Sequence, residues 1–262
     1  MESLVAAEQA FSAASVNDGT RAAFLDFLAN RSIVFDPIPA DGKAQMASRT
    51  PSDERTSWWP RHGELSANGD FGYTTGSWAS SQARGRYVTI WRFQADGAWR
   101  AEVVARIRYD LDTLSVPPPM ASPRKQGWVR ARRKLYQEAA RVAMLKTDRD
   151  LAQLSLAASK EHAMRGVLDD SVRYYRDATP PGRGRDSMAV LLSQMPGMTA
   201  WAPISGRIAR GGDLGYTYGL QTVRASPADT TAQSSAYLRI WKAQPDSTWR
   251  LVVDLVAATR IR

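Results

Sequence analysis

The chain has 262 residues, of which 44% are apolar, and it carries no cysteine and a formal net charge of +9. Such a length can bury a substantial core, while the lack of cysteine excludes disulfides, thiolate catalysis and cysteine-ligated metal. No apolar run approaches the roughly 18 residues of a membrane-spanning helix, so we expect no stable membrane insertion. The positive charge is uneven, because residues 113–150 hold nine basic and three acidic side chains, a local charge of +6.

The first part of the chain predicts helices followed by strands. Apolar residues at helical spacing predict helices over about 2–16 and 20–29, and a short third helix over about 43–48. Four strands follow at about 57–66, 70–79, 86–94 and 98–108. The dipeptides Asn68-Gly69 and Asp96-Gly97 supply the positive φ that tight hairpins need between such strands. Helices followed by an antiparallel meander are typical of an α+β domain.

A connector over residues 113–146 separates this part from the rest. Three consecutive prolines at 117–119 predict a stiff, extended linker. A basic amphipathic helix is predicted after it, over about 128–146, with Trp128, Leu135 and Val142 on one apolar stripe. We expect that stripe to dock on the protein's own domains, with the basic residues solvated. Two alternatives are weaker: binding to an anionic membrane surface, because the apolar stripe is needed for docking, and nucleic-acid binding, because no nucleic-acid module is recognised.

The second part of the chain repeats the pattern of the first. Thr147, with Asp150 three residues later, has the spacing of a capping box and predicts the start of a helix. Further helices are predicted over about 167–175 and 186–195, and strands follow them. The predicted domains are therefore residues 1–112 and 147–262, joined by the connector over 113–146.

Shared motifs show that the two parts are a tandem duplication. Residues 69–76 read GDFGYTTG and residues 212–219 read GDLGYTYG, with six of eight letters identical. Each copy has a Trp upstream, assigned as Trp59 and Trp201, then Tyr-x-x-Ile-Trp, then Trp-Arg eight residues later. One half must therefore have the fold of the other. The repeated glycines are expected where the sheet bends and side chains would crowd.

With these helices, hairpins and motifs, the chain resembles the nuclear-transport-factor-2-like superfamily, and within it the SnoaL-like bacterial branch, whose members are largely uncharacterised. The resemblance implies two tandem cone-shaped α+β domains, each with N-terminal helices packed on a curved, mainly antiparallel sheet. Such domains usually pair sheet to sheet, so the duplication implies an intramolecular pseudo-dimer and a monomeric chain. The fold hosts isomerases, dehydratases and plain binding modules, so it implies no single activity.

Two carboxylates are the candidates for catalysis. In the relatives that the chain resembles, the last strand reads Trp-x-x-x-x-Asp, which Trp249 and Asp254 match, whereas the first half has Val104 in that place. Strand alternation places Glu102 on the face equivalent to that of Asp254. In an apolar pocket such a carboxylate has a raised pKa and can act as a general base. The alternative, and the more frequent arrangement, is an ion pair with a neighbouring arginine such as Arg250.

Aromatic residues are the candidates for ligand binding. The residues expected to line a pocket are Tyr73, Trp78, Tyr87, Trp91, Tyr216, Tyr237, Trp241 and Arg250. Trp78 is the preferred pocket residue, because the second half has Gln221 in its place. The two histidines, His62 and His162, do not have a metal-ligand spacing, so no metal or cofactor is expected.

Three functions fit the sequence. The first is a small-molecule binding protein for an apolar or aromatic ligand, without strong catalysis. The second is a cofactor-independent lyase or isomerase that uses a pocket carboxylate, and the third is a non-catalytic interaction scaffold. We expect no nucleic-acid partner. The compartment stays open, with export slightly favoured because a cysteine-free chain avoids oxidation.

Overall fold

A computed structural model describes residues 1–109, 134–195, 197–226 and 228–259. The chain divides into two compact units, Met1–Arg130 and Ala131–Arg262, each a domain with its own helices, sheet and core. The first domain consists of α1 (Glu2–Asn17), α2 (Thr20–Phe27), β1 (Leu28–Phe35), β2 (Pro39–Asp41), α3 (Gly42–Ser48), β3 (Thr56–Leu65), β4 (Phe71–Ser80), β5 (Arg84–Phe93) and β6 (Trp99–Arg108). The second consists of α4 (Lys134–Ala157), α5 (Lys160–Arg165), β7 (Leu168–Arg176), β8 (Thr179–Arg183), α6 (Arg185–Gln194), β9 (Met198–Ile208), β10 (Leu214–Arg224), β11 (Gln233–Ala243) and β12 (Trp249–Ala258).

Both domains have the same sheet topology. The strand order is β2-β1-β6-β5-β4-β3 in the first six-stranded sheet and β8-β7-β12-β11-β10-β9 in the second. All neighbours run antiparallel except β1 with β6 and β7 with β12, which are parallel. The α+β class and the tandem duplication are therefore confirmed. The pairing of the two halves as a pseudo-dimer stays a prediction.

The four long strands of each domain are set by their turns. Gly69 and Gly97 adopt φ of 73° and 80°, as the hairpin dipeptides predict, and Gly212 adopts 76° in the second domain. These values are in the left-handed region, where glycine has no Cβ to clash. The predicted strands of the first domain agree with β3 to β6 within about two residues at each end.

The glycines of the repeated motif lie where strands approach closely. A Cβ on Gly76 would come within 1.9 Å of the Trp59 carbonyl oxygen. The register between β3 and β4 shifts beside it, between Pro60 and His62. Gly219 has the same place in β10, next to a register shift, and a Cβ there would come within 2.3 Å of the Ala202 carbonyl oxygen. Crowding at a bulge therefore explains why both copies have glycine.

One predicted helix of the second domain is wrong. Residues 168–176 form strand β7 rather than a helix over 167–175, and the second helix is the shorter α5. The side chain of Ser159 caps α5 by accepting a hydrogen bond from the His162 N–H at 3.0 Å. The apolar spacing of Leu168, Val172 and Tyr175 fits a helix turn, but parallel pairing with β12 supplies the backbone hydrogen bonds of a strand. Tertiary context thus overrides the local pattern.

Helix α4 corrects the predicted start at Thr147. The helix runs without a break from Lys134 to Ala157, and the Thr147 hydroxyl donates to the Ala143 carbonyl inside it. The predicted apolar stripe is wrong at Leu135 and Val142, which are 84% and 50% exposed, whereas Leu145, also predicted on it, is buried. The buried residues begin two positions after Val142 and include Met144, Leu145, Asp148 and Leu151. Trp128 and the triple proline lie outside the described residues.

Candidate functional site

Each domain buries one carboxylate on its first helix, at the same place in the repeat. Glu8 lies between the buried residues Leu4 and Phe11 of α1. Asp148 lies between Met144 and Leu151 of α4, with identical spacing. Both carboxylate residues are 0% exposed. Each helix therefore presents its carboxylate to the same face of its sheet.

Neutral donors surround Glu8. The indole N–H groups of Trp58 and Trp91 donate to its two carboxylate oxygens at 2.5 and 2.7 Å. The Thr74 hydroxyl donates a short hydrogen bond, and the Thr89 hydroxyl lies at 3.5 Å. Among the described residues, no ion pair of Glu8 is present. The carboxylate is thus hydrogen-bonded without a counter-charge.

Burial changes the acidity of Glu8. Removal from water disfavours the charged form and raises the pKa of this carboxyl from 4.5 to about 7, although its four donors act in the opposite direction. Near neutral pH the group therefore exchanges between acid and carboxylate. A titratable group of this kind is typical of functional sites as well as of structural networks.

Charged partners surround the equivalent Asp148. Arg239 on β11 donates to Asp148 at 2.6 Å and to Asp254 on β12 at 3.2 Å. Arg176 forms a short ion pair with the other oxygen of Asp254, and the Tyr237 hydroxyl donates to Asp148 at 2.9 Å. None of the four charged residues is more than 7% exposed. The network is balanced, with two positive and two negative groups.

The guanidinium of Arg239 fills the interior of the second domain. It lies 4.3 Å from the ring centroids of both Trp201 and Tyr237, and one of its nitrogens lies 4.0 Å from the Met164 sulfur. A flat cation between two aromatic faces is a favourable arrangement because each ring face is electron-rich. The space beneath α4 is therefore occupied by the protein's own side chain.

Smaller side chains leave a cleft at the equivalent place in the first domain. Thr89 and Val104 are opposite each other across β5 and β6, where the second domain has Arg239 and Asp254. The cleft is lined by Phe11, Phe24, Trp58, Trp78, Tyr87, Thr89, Val104 and Arg106. Its free space is ≈ 230 Å³, including open solvent at the mouth, and its inner cavity is ≈ 10 Å³. That inner space is about the room of one water molecule.

Arg106 provides the positive charge of the cleft. Its guanidinium lies 5.3 Å from the ring centroids of both Phe24 and Trp78. Burial lowers the pKa of Arg106 from 12.5 to about 10, with a smaller opposing effect from the Glu54 carboxylate. Within the described part of the chain, no hydrogen bond or ion pair of this guanidinium is present. Val256 has the equivalent place in the second domain.

The two predicted catalytic carboxylates both make ion pairs. Asp254 belongs to the buried network of Arg239 and Arg176. Glu102 accepts from Arg92 at 2.6 Å and its side chain is 2% exposed. Glu102 lies at a register shift between β5 and β6, so simple alternation does not relate its orientation to that of Asp254. Both carboxylates thus pair with arginines, which is the alternative to catalysis, and their role as bases stays a prediction.

Two of the predicted ligand residues line the cleft. Trp78 and Tyr87 form part of its wall, and Trp91 lies deeper, where it donates to Glu8. In the second domain Tyr237 donates to Asp148, while Trp241 donates to the Thr217 hydroxyl at 2.8 Å. These two residues therefore belong to a filled core.

The other predicted ligand residues lie away from the cleft. Tyr73 and Thr74 are neighbours in β4, so their side chains are on opposite faces of the sheet. The Tyr73 hydroxyl lies 3.3 Å from a ring nitrogen of His62. Tyr216 is buried near Tyr218. The side chain of Arg250 donates to the Gly166 carbonyl oxygen at 2.5 Å. The structure does not bring these three residues together.

Sequence reasoning missed the central residues of both interiors. The available signal was a charged residue inside the apolar face of a helix, Glu8 between Leu4 and Phe11, repeated as Asp148 in the second domain. The upstream tryptophan was also aligned one residue out of place. Trp58 pairs with Trp78 in the first sheet, and Trp201 pairs with Gln221 at the same place in the second sheet. Trp58 is therefore the counterpart of Trp201.

The described residues contain no group of three or more His, Asp or Glu side chains arranged to hold a metal ion. Of the helices in the described ranges, none combines the length and apolar character needed to cross a bilayer.

Comparison with known proteins gives similarity at the level of fold. No protein-family model and no curated protein matches the sequence. An NTF2-like protein with a cystatin-like fold from Novosphingobium aromaticivorans is 16% identical, covers 49% of this chain and 88% of its own, and has a TM-score of 0.42. An NTF2-like protein of unknown function from Pseudomonas putida is 11% identical over 47% and 89%, with a TM-score of 0.40. A protein provisionally named scytalone dehydratase, also from Novosphingobium aromaticivorans, is 11% identical over 50% and 94%, with a TM-score of 0.40.

These structures each cover about half of this chain. The repeated element order and the identical strand order of the two sheets carry the assignment of fold. The chain consists of two tandem domains that fit the nuclear-transport-factor-2-like fold.

Proposed function

We propose that the chain is a small-molecule binding protein and that the cleft of the first domain binds a small, flat ligand. The observation that carries this proposal is the cleft itself, with five aromatic rings and one guanidinium around it. Concave sites with mostly apolar walls and a few polar groups are the usual places where proteins bind small molecules.

The second domain supports a flat shape for the ligand. There a planar guanidinium lies between Trp201 and Tyr237, 4.3 Å from each ring centroid. Their counterparts in the first domain, Trp58 and Tyr87, both line the cleft. By this correspondence, a planar group of the ligand would occupy the place next to Thr89 that the guanidinium has in the second domain.

The two domains differ in a way that fits one binding site and one supporting domain. In the second domain the ion pairs of Arg239 occupy the place that corresponds to the cleft. A filled core of this kind matches the expectation for a scaffold, whereas the first domain matches the expectation for a binding module. Because the inner cleft has the room of about one water, a ring enters only when side chains at the mouth move.

Introducing the second domain's Arg239 and Asp254 at the equivalent positions of the first domain tests the site. The double variant Thr89→Arg with Val104→Asp places the charges of Arg239 and Asp254 in the first domain, where Glu8 can pair with the new guanidinium. We expect it to fold and to weaken the binding of 2-naphthoate and 2-naphthamide at least about tenfold, a loss of about 1.4 kcal/mol. Isothermal titration calorimetry measures both probes.

A matched control separates closure of the cleft from a general effect of the substitutions. The same two changes at exposed positions, Thr50→Arg with Val190→Asp, should leave binding unchanged. Circular dichroism and thermal melting check that both double variants are folded. Unchanged binding by a folded Thr89→Arg, Val104→Asp variant would exclude the cleft as the site.

A second candidate function is proton transfer to or from the bound molecule. It rests on Glu8, whose pKa is raised to about 7 by burial and which contacts Thr89 of the cleft wall. A group with a pKa near the working pH suits general acid–base catalysis. If a substrate is found, Glu8→Gln should abolish turnover and retain binding. Unchanged turnover in that variant would leave binding alone as the function.

A further inference from the structure

We infer that the ligand of the cleft carries a negative group, a carboxylate or a comparable oxyanion, and that Arg106 binds it. The inference rests on the proposed function and names the chemical class of its ligand. The guanidinium of Arg106 forms part of the cleft wall, between the rings of Phe24 and Trp78. Its planar fork of N–H donors matches a carboxylate in shape.

In the described parts of the chain, the half-buried charge of Arg106 lacks the carboxylate partner that the buried arginines of the second domain have. In the second domain Arg239 and Arg176 both pair directly with carboxylates. In the first domain the structure gives the guanidinium of Arg106 two aromatic contacts and, within the described ranges, no ion pair. Removing a cation from water is unfavourable unless a partner compensates for it. A bound anion would supply that partner.

Two of the three charged neighbours that act on Arg106 are cationic. Glu54 has the largest single effect of the three and raises the pKa of Arg106, whereas Arg108 and Arg49, which pairs with Asp36, both lower it. The Glu54 carboxylate forms no ion pair with Arg106 and lies on an exposed segment. A cationic ligand at the mouth would be repelled by these guanidinium groups.

Glu8 does not take the place of the missing counter-charge. Its oxygens accept hydrogen bonds from Trp58, Trp91 and two threonines, so its negative charge is directed toward its own donors. Arg106 is opposite Tyr87 in the register of β5 and β6, and Thr89 is opposite Val104 further in. A flat ring between Trp58 and Tyr87 would therefore place an attached carboxylate toward Arg106.

A pair of matched probes tests the charge. 2-Naphthoate and 2-naphthamide have the same ring and nearly the same size, and only the naphthoate is charged at neutral pH. We expect the wild-type protein to bind the naphthoate about 10- to 100-fold more tightly, as hydrogen bonds between charged groups imply. In Arg106→Val, which introduces the residue of the second domain, the ratio should fall to about one. The ratio is measured within one protein, so it does not depend on the stability of the variant.

The control is Arg100→Val on the same strand, which lies about 20 Å away along β6 and should keep the wild-type ratio. Equal affinity for the two probes in the wild-type protein would overturn the inference but leave the proposed function intact. Failure of the Thr89→Arg, Val104→Asp variant to weaken either probe would instead refute the proposed function. No binding of either probe at about 1 mM would count against both.

Discussion

Replacing Glu8 with glutamine should change how the stability of the protein depends on pH. Burial raises the pKa of this carboxyl from 4.5 to about 7. Because the pKa is higher in the folded than in the unfolded protein, the folded protein binds the proton more tightly. The resulting stabilisation is complete below about pH 4.5 and is lost as the pH rises through 7. At about 1.4 kcal/mol for each pH unit, the loss is about 3 kcal/mol in the free energy of unfolding.

Equilibrium unfolding in urea between pH 4 and 8 measures this effect. Wild type should lose about 3 kcal/mol relative to Glu8→Gln across that range, and the difference isolates Glu8 because all other titrating groups are shared. The variant retains an acceptor for the Trp91 N–H, since the Thr74 hydroxyl oxygen lies 3.3 Å away. Glu2→Gln, at an exposed position on the same helix, is the control and should follow wild type. Parallel curves for wild type and Glu8→Gln would show that the four donors keep the carboxylate ionised, and would refute the reasoning.

The remaining predictions concern stability and use urea unfolding. Arg239→Ala leaves the buried Asp148 without a counter-charge, while Asp254 keeps Arg176, and should cost about 3–5 kcal/mol. Arg250→Ala, at a partly exposed site, should cost less than about 1 kcal/mol. Comparable losses in the two variants would contradict the network. Glu102→Ala removes the carboxylate that pairs with the partly buried Arg92 and should lower the free energy of unfolding by about 1–3 kcal/mol. An unchanged urea midpoint would mean that water replaces the carboxylate as the partner of Arg92. Gly76→Ala places a Cβ 1.9 Å from a backbone oxygen, whereas Gly166→Ala meets nothing nearer than 3.7 Å. The first should therefore destabilise by more than about 3 kcal/mol and the second by less than about 1 kcal/mol, and a tolerated Gly76→Ala would show that the strands can separate there.

The sequence by itself determined the duplication, the α+β class and the long strands of each domain. These features are local, because hairpin glycines need a positive φ and strands alternate in polarity within a few residues. Asn68-Gly69 and Asp96-Gly97 form the predicted turns for this reason. The third helices were predictable on the same grounds, and α3 and α6 lie where the pattern placed them.

Only the tertiary structure decided the parallel strands and the two interiors. Strand β7 has the apolar spacing of a helix and becomes a strand because β12 lies beside it. The partners of Glu8 come from positions 50 to 83 residues away, and Arg239 is 91 residues from Asp148. No local pattern connects residues at such distances. The sequence shows that the second half has Arg239 where the first half has Thr89. The consequence is a filled core in one domain and a cleft in the other. It depends on which side chains the folded sheets bring together beneath the first helix of each domain.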